Sequence, residues 1–568
     1  MNLLSINDLD LSPKPGKAYW TNSGREWREE FIYFLMVDRF HDNRPRTSIS
    51  RQGKTNGYGT EEQLKHTCGG TIKGITNHLD YIHELGCTSI WLSPVFENNA
   101  DSYHGYAIQD YTRVDPRFGT MEDLSELVDQ AHAREMRVFL DIVLHHSGDN
   151  WSYPDDLPYY YYNGVTFPFG SWRFKDKPLP IELRNPDLYG RKGQIRNFDS
   201  YPETREGDFQ ELKAFKNDDS PEALYIQDIL TKIHCYWIRE TDVDGFRVDA
   251  VKHMGEKTLS QFCSHIREYA YKLGKRNFFL FGELVGPEEM VNKYIGPKTS
   301  VKVDDNAIYY GLNSVLDFPL YHVLADVILG NGDPDRLIER YESLRRNAMS
   351  RGEFGEFLVT FIDNHDQVGQ SFKTRFGYNA NQQQLIGGIG FLLCALGTPC
   401  IYYGTEQGLM GAGTSDSAVR ESMFSIDSTE KNLLNTQNGI YQEIAKLARL
   451  RSDSAVLKFG RMYMRSSSKD GKYFNLPSTP GSMLAFSRIL YDDEMIVVYN
   501  SSTTDGGECY VEVDKELNRT GDSFKFCYGG KGKVHVLANE EGTKHFIKIT
   551  VKPCGFVVLT SNPKSASS

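Results

Sequence analysis

No CxxC pair occurs anywhere in the chain. Its nine cysteines, Cys68, Cys87, Cys235, Cys263, Cys394, Cys400, Cys509, Cys527 and Cys554, are an odd number. Neither a zinc ribbon nor a closed disulfide framework is indicated, and cysteines in apolar surroundings, such as Cys394 and Cys400 in FLLCALGTPC, read as buried thiols. There is no excess of positive charge. The net charge is −12 and the pI is near 5.7, so the basic footprint of a nucleic-acid binder is missing. No apolar run approaches the ~20 residues that span a bilayer. The opening MNLLSINDLDLSPKPGK carries Asp8 and Asp10 and no apolar core, so it does not read as a secretory leader. The expectation is a cytoplasmic protein, or a secreted one if a leader has been removed, with no nucleic-acid or membrane partner.

With 39 % hydrophobic and 25 % charged residues the composition is globular, and 568 residues exceed what one ordinary core serves. Eight short apolar runs alternate with helix-like stretches: 31–40, 88–96, 136–144, 245–251, 278–284, 314–320, 357–364 and 398–404. Each is nearly continuous in apolar residues, as a strand covered on both faces must be. Between them, Ile75, Leu79, Ile82 and Leu85, and then Ile226, Ile229, Leu230, Ile233 and Trp237, follow helical spacing. Eight strands alternating with helices predict a (β/α)8 TIM barrel, with a doubly wound open sheet as the alternative.

The rhythm breaks after the third run. A loop of that length without structure is uncommon in a compact barrel, so 147–207 reads as a small inserted domain, rich in Tyr, Trp and Pro. Beyond about residue 454, alternating stretches such as MLAFSRIL, EMIVVYN, CYVEVD and HFIKITV are separated by Gly, Asp and Ser, the pattern of a β-sandwich. The predicted organisation is therefore a barrel over 1–146 and 208–454, an insertion over 147–207 and a C-terminal β-sandwich over 455–568.

In such a barrel the chemistry comes from the C-terminal ends of several strands. Three acids fall there: Asp249 near the end of the fourth run, Glu283 near the end of the fifth and Asp366 just past the seventh. Like charges converging on one rim repel, so the cluster calls for a chemical reason. Arg247, two residues before Asp249, points the same way on a strand.

These residues lie in motifs that resemble the α-amylase family of glycoside hydrolases, often called family thirteen. DIVLHH (141–146), DGFRVDAVKH (244–253), FGEL (281–284) and FIDNHD (361–366) are similar to its four short motifs, in order, and SYHGYAIQDYTRVDPRFGT (102–120) resembles its loop after the second strand. The resemblance covers about 30 to 450 and the C-terminal β-domain. It implies a retaining hydrolase of α-1,4-glucosidic bonds in starch-like glucans or malto-oligosaccharides. Asp249 would be the nucleophile, Glu283 the acid/base and Asp366 the residue holding the distorted sugar ring. His104, His146 and His365 resemble histidines that bind hydroxyls of the reacting sugar, Tyr106 the aromatic platform beneath it, Arg247 the cation that keeps Asp249 ionised, and Lys252 and His253 residues of the leaving-group subsites.

A 4-α-glucanotransferase, or another α-glucosidase-type activity, is the runner-up within the same chemistry. A non-catalytic, transporter-associated relative is the alternative from another class, and the presence of all three acids argues against it. The sequence departs from the family where many members bind calcium: His145 replaces an Asn, and Ala214 stands where an Asp is expected. Calcium favours several oxygen ligands, so the usual site is expected to be degraded and no cofactor to be required, with calcium elsewhere left open. The aromatic residues Trp151, Tyr153, Tyr159, Tyr160, Tyr161, Tyr162 and Trp172 read equally well as outer sugar subsites or as the core of the insertion. Arg420 and Glu421 read as a structural ion pair.

Overall fold

All eight apolar runs contain strands of one parallel sheet: β1 (Ile32–Leu35), β2 (Ser89–Leu92), β3 (Arg137–Ile142), β4 (Gly245–Val248), β5 (Phe279–Gly282), β6 (Ser314–Val315), β7 (Val359–Thr360) and β8 (Thr398–Tyr402). The structure, a computed structural model, describes residues 3–22, 24–49, 52–161, 164–218, 220–299, 308–351, 357–428 and 430–561. The sheet order is β6-β5-β4-β3-β2-β1-β8-β7. Leu316, just past β6, lies opposite Val359 of β7, and the Asp317 N–H donates to the Val359 carbonyl at 2.9 Å. That contact closes the ring, so the barrel expectation holds and the open-sheet alternative does not.

Every residue of β1 to β5 is buried. That follows from a sheet with side chains packing inside the ring and helices packing outside it. The helices bury one stripe each. In α1 (Met121–His132) it is Leu124, Leu127, Val128 and Ala131, and Thr120 and Asp123 form a reciprocal cap at its start. In α2 (Pro221–Thr241) it includes Ile226, Ile229, Leu230, Ile233 and Trp237, with Ser220 as N-cap and Pro221 in the first turn. The stretch holding Ile75, Leu79, Ile82 and Leu85 is two short helices rather than one, Ile72–Thr76 and Leu79–Glu84. A Cβ at Gly74 would come 2.0 Å from the His41 carbonyl, so this segment is seated by close backbone approach and turns at His78. All four apolar side chains are still buried.

Between β3 and α2 the chain makes an excursion. At its base His146–Ser147 pairs antiparallel with Lys213–Ala214, and farther out Trp151–Ser152 pairs with Ser171–Trp172. Trp151, Tyr153 and Tyr189 are buried there, with ring contacts among Trp151, Tyr153, Phe169 and Tyr189.

The C-terminal part is a nine-stranded antiparallel sheet: β9 (Arg461–Met464), β10 (Ser467–Ser468), β11 (Met483–Leu490), β12 (Asp493–Asn500), β13 (Gly507–Val513), β14 (Ser523–Tyr528), β15 (Lys533–Ala538), β16 (His545–Val551) and β17 (Phe556–Ser561), in the order β9-β11-β12-β17-β14-β15-β16-β13-β10. Alternation along its strands shows how it sits. Ala485, Ile496, Val498, Val557 and Leu559 meet Val511, Ile547 and Ile549 in a core of their own. Their sequence neighbours Leu484, Phe486, Val497, Tyr499, Phe556 and Val558 join the barrel core instead. Strands buried on both faces read as continuous apolar runs, and those with one solvated face alternate. The docking helix, α3 (Gln382–Cys394), carries Gly387 and Gly390, where a Cβ would come 2.5 Å from the Tyr499 ring and 2.9 Å from the Phe556 ring. Among the described residues no helix is long and apolar enough to cross a membrane.

Candidate active site

The register of the barrel decides the site. Arg247 on β4 lies directly opposite Asp141 on β3, and both are fully buried. One Arg247 nitrogen, Nη1, reaches Asp141 Oδ1 at 2.8 Å and Asp249 Oδ1 at 2.7 Å, while Nη2 lies 3.3 Å from Glu283 Oε1. Asp249 stands one residue past β4, its N–H bonded to the Ile142 carbonyl of β3 at 2.9 Å. Glu283 stands one residue past β5, its N–H bonded to the Val248 carbonyl at 2.8 Å. Ala250 takes the left-handed conformation (φ 52°), which turns its N–H onto Glu283 Oε2 at 3.2 Å. Two acids thus share a single guanidinium at adjacent strand ends.

Asp366 comes from the loop after β7, where Asn364 Oδ1 accepts from the Asp366 and Gln367 N–H groups at 3.0 and 2.7 Å. Its carboxylate faces Arg420 Nη2 at 2.5 Å and His365 Nε2 at 3.2 Å. Tyr106 donates its hydroxyl proton to Asp141 Oδ2 at 2.9 Å, so His365 Nε2, also 2.9 Å from that hydroxyl, is the donor on its side. Trp91 Nε1 is a further donor to Asp141, at 3.1 Å. Asp141 therefore anchors Arg247 and Tyr106 from below without reaching the cleft.

These surroundings drive the acids apart in proton affinity. Burial raises Glu283 to about 8, with the neighbouring Asp249 and Asp366 carboxyls adding to it against Arg247. Burial also raises Asp249, opposed by Arg247 at hydrogen-bond distance. Burial pushes Asp141 up to about 7, against Arg247 and with Asp249. For Asp366 burial acts upward too, but His365, Arg420 and Arg247 outweigh it and hold the carboxyl at about 2. Burial keeps His104, His146 and His365 near 3, and thus neutral. At neutral pH the rim holds a protonated Glu283 beside an ionised Asp366, and Arg247 favours the charge on Asp249, the closer of its two rim acids.

A cleft of about 1420 Å³ opens over these groups, lined by Asp249, Glu283, Asp366, His104, Tyr106, His146, Lys252 and His253. Arg247 and His365 lie beneath it, buried. Lys252 and His253 line the cleft and also tie down the insertion: Lys252 pairs with Asp199, and His253 Nδ1 contacts the Thr204 carbonyl. Gly105, between His104 and Tyr106, adopts φ 95°, and a Cβ there would stand 2.4 Å from the Pro94 carbonyl. Only glycine lets that loop lie so close to β2.

The expected Arg420–Glu421 pair does not form. Neighbouring side chains on this loop point apart. Glu421 binds Arg375 Nε at 2.5 Å, whereas Arg420 reaches Asp366, the His365 carbonyl at 2.9 Å and the Tyr103 hydroxyl at 3.1 Å. The sequence did contain a signal for Arg420, since it follows the eighth strand and so belongs to the same rim. Arg420→Leu should lower kcat/KM on malto-oligosaccharides by about 10²-fold or more, the cost of stripping the partner from a buried charge. Steady-state kinetics beside an unchanged circular dichroism spectrum checks it.

The fit to calcium is poor. The His145 ring is buried among His146, Phe209 and His253 (centroids 5.6, 5.2 and 5.6 Å away). The Ala214 methyl is buried, and its N–H donates to Asp208. The His253 carbonyl already accepts from Asn217 Nδ2 at 2.6 Å, and the buried Lys213 ammonium pairs with Asp149 at 2.8 Å. Among the described residues no three His, Cys, Asp or Glu side chains are grouped to hold a metal.

Of the aromatic residues in the insertion, Trp151, Tyr153 and Tyr160 are buried, Trp172 is half-buried, and Tyr159 and Tyr161 are more than half exposed. Tyr162 lies outside the described residues.

A family model for the α-amylase catalytic domain matches residues 34–439, from within β1 through β8 and including every motif that supplies the rim acids. The chain belongs to the α-amylase family. An α-amylase of Streptomyces lividans is 27 % identical over 98 % of this chain and 63 % of its own length. A cyclomaltodextrin glucanotransferase of Klebsiella oxytoca is 29 % identical over 78 % of this chain and 70 % of its own. In three dimensions, an Anoxybacillus α-amylase superposes with a TM-score of 0.70 at 25 % identity, covering 95 % of this chain and all of the other. The chain spans less than two thirds of the Streptomyces relative's length. Its barrel, with a C-terminal β-domain, is the architecture of this family.

Proposed function

We propose that this α-amylase family member cleaves α-1,4-glucosidic bonds in starch-like glucans or malto-oligosaccharides with retention of configuration. The observation that carries the reading is one guanidinium, Arg247, gripping Asp249 and Glu283 side by side under a cleft. Retention needs the two carboxyl groups only about 5–5.5 Å apart, with no room for a water between nucleophile and sugar. Asp249 attacks the anomeric carbon. Glu283, holding its proton at neutrality, protonates the departing oxygen, and a covalent glycosyl-enzyme forms. Glu283, now a carboxylate, takes the proton of the incoming hydroxyl as that oxygen displaces Asp249. Asp366, ionised, accepts from hydroxyls of the distorted ring, with neutral His104 and His146 supplying further polar contacts and Tyr106 a flat face, while His365, beneath the cleft, holds the Tyr106 hydroxyl in place. Lys252 and His253 border the leaving-group side. Product chromatography on starch, maltoheptaose, pullulan, cyclodextrin and sucrose tests the assignment, with the anomer formed first read by NMR. Turnover mainly of sucrose, or a β-anomer, would overturn it.

Transfer to a sugar hydroxyl instead of water is the second reading, favoured by the glucanotransferase among the relatives. It predicts redistribution of maltotriose into longer and shorter chains rather than net sugar release.

The same chain is proposed to need no calcium at the junction of barrel and insertion. The Asn217 amide and the Lys213 ammonium already meet a carbonyl and a carboxylate there, and an imidazole and a methyl replace two oxygen ligands. Excess chelator should change neither Tm nor activity by more than the scatter of repeats. A fall in both, restored by calcium, would contradict this.

A further inference from the structure

The mechanism leaves unused a ridge of exposed aromatic side chains on the insertion. Twelve large aromatic residues are exposed among the described residues, and five of them, Tyr159, Tyr161, Phe174, Phe198 and Tyr201, fall in 147–207, about a tenth of the chain. Contiguous apolar surface left in water marks binding faces, and Tyr159 and Tyr161 are joined through Arg196.

Its geometry is that of a fixed platform. The segment at Tyr160 runs beside the one at Gln194: the Tyr160 N–H donates to the Gln194 carbonyl at 2.9 Å, and the Gln194 N–H to the Pro158 carbonyl at 2.8 Å. Gly193, just before Gln194, has φ 80°, and a Cβ there would come 2.6 Å from the Pro158 carbonyl, so the two segments pack as closely as backbone allows. Successive side chains of an extended segment point to opposite faces. Tyr160 accordingly turns inward, 4 % exposed with its hydroxyl on Glu206 at 2.8 Å, and Tyr159 and Tyr161 turn outward at 51 % and 55 %. Arg196 from the neighbouring segment lies over both rings, 5.0 and 5.8 Å from their centroids. Two half-exposed tyrosine rings, with the exposed Arg196 guanidinium over them, stand at the surface.

The platform continues the cleft. Phe198, 43 % exposed, lines the cleft, and it lies two residues beyond Arg196, at most about 7 Å along the backbone. All four residues from Arg196 to Asp199 are exposed, and Asp199 is fastened to the barrel by Lys252. Phe198 at the cleft and Arg196 over the two tyrosines thus belong to one exposed segment. Aromatic faces suit the C–H faces of pyranose rings, and guanidinium N–H groups suit their hydroxyls.

We infer that Tyr159, Arg196 and Tyr161 form a second α-glucan contact on the insertion that holds long chains after they leave the cleft past Phe198. This rests on the α-glucan reading of the cleft. It makes the enzyme favour polymers over short oligomers, because the second grip acts only on a chain long enough to reach both places.

The test is the double variant Tyr159→Ala/Tyr161→Ala, two exposed positions outside the catalytic machinery. Its KM on soluble starch should rise about tenfold, the worth of a stacked ring or two, and its retardation in a starch-containing native gel should be lost, while KM on maltotriose and Tm stay as in the parent. Unchanged KM on starch and unchanged retardation would overturn the inference. So would equal losses on starch and maltotriose together with a lower Tm, which would mean a folding role. If the parent is retarded by starch and the variant is not, yet neither turns over any α-glucan, the proposed activity fails and this contact stands.

Discussion

Asp249→Asn should lower kcat on maltoheptaose by about 10⁴-fold or more, while the fold and the melting temperature survive. The amide is nearly isosteric, so packing against Arg247 is kept, but it cannot attack the anomeric carbon, and removing a nucleophile from a preorganised site costs on this order. Glu283→Gln should behave differently, and the difference carries the argument. It loses turnover on starch by about 10²–10⁴-fold, the usual contribution of a general acid, but keeps much of the first, glycosylating step on α-glucosyl fluoride, whose leaving group needs little protonation. Asp249→Asn loses that step too. In the parent enzyme activity should decline as pH rises through about 8, because Glu283 is raised to about 8 and only its protonated form can assist departure. The limb should vanish for the fluoride's first step. Residual activity of more than about one per cent in Asp249→Asn, or an alkaline limb untouched in Glu283→Gln, would sink the assignment of roles.

Arg247→Met should be the most damaging single change to stability at the site. Arg247 is fully buried and lies within ion-pair distance of Asp141, Asp249 and Glu283. Stripping one partner from a buried pair costs about 3–5 kcal/mol, because the remaining charge stays in low dielectric. Here Asp141 has no way to reach water. Burial already pushes it up to about 7 with the cation in place, so without it the carboxyl would take a proton and its bonds to Tyr106 and Trp91 would weaken. The variant should accumulate as insoluble protein or melt at a clearly lower temperature. Arg247→Lys separates the two roles of this residue. A lysine keeps the charge but offers one nitrogen where the guanidinium spreads two over adjacent strand ends. It should fold, with kcat down by about 10²–10³-fold as Asp249 and Glu283 lose their shared alignment. A methionine variant with unchanged melting, or a lysine variant with full activity, would show that the cluster does not depend on this grip.

The sequence by itself determined the eight buried strands and the acids that stand at their ends, while closure of the sheet into a ring waited on the contact of Leu316 and Asp317 with Val359. Strands buried on both faces must be apolar throughout, and the rim acids stand where the runs end, so period and position alone pick out Asp249, Glu283 and Asp366. The spacing of two between Arg247 and Asp249 likewise places both on one side of β4. What only the tertiary structure decided is everything set by register and by contacts between distant segments. Asp141 is legible as a strand residue, but its place opposite Arg247 follows from how β3 and β4 are aligned. Arg420 stands beside Glu421 in the chain, yet it binds Asp366, 54 residues away, because the loops after β7 and β8 meet on the rim. The two tyrosines flanking Tyr160 are indistinguishable from it in composition, and only the pairing of 158–160 with 193–194 turns one inward and two toward water. Burial periodicity is a local property and survives in one dimension. The choice of partner depends on strand order, and that exists only once the ring has closed.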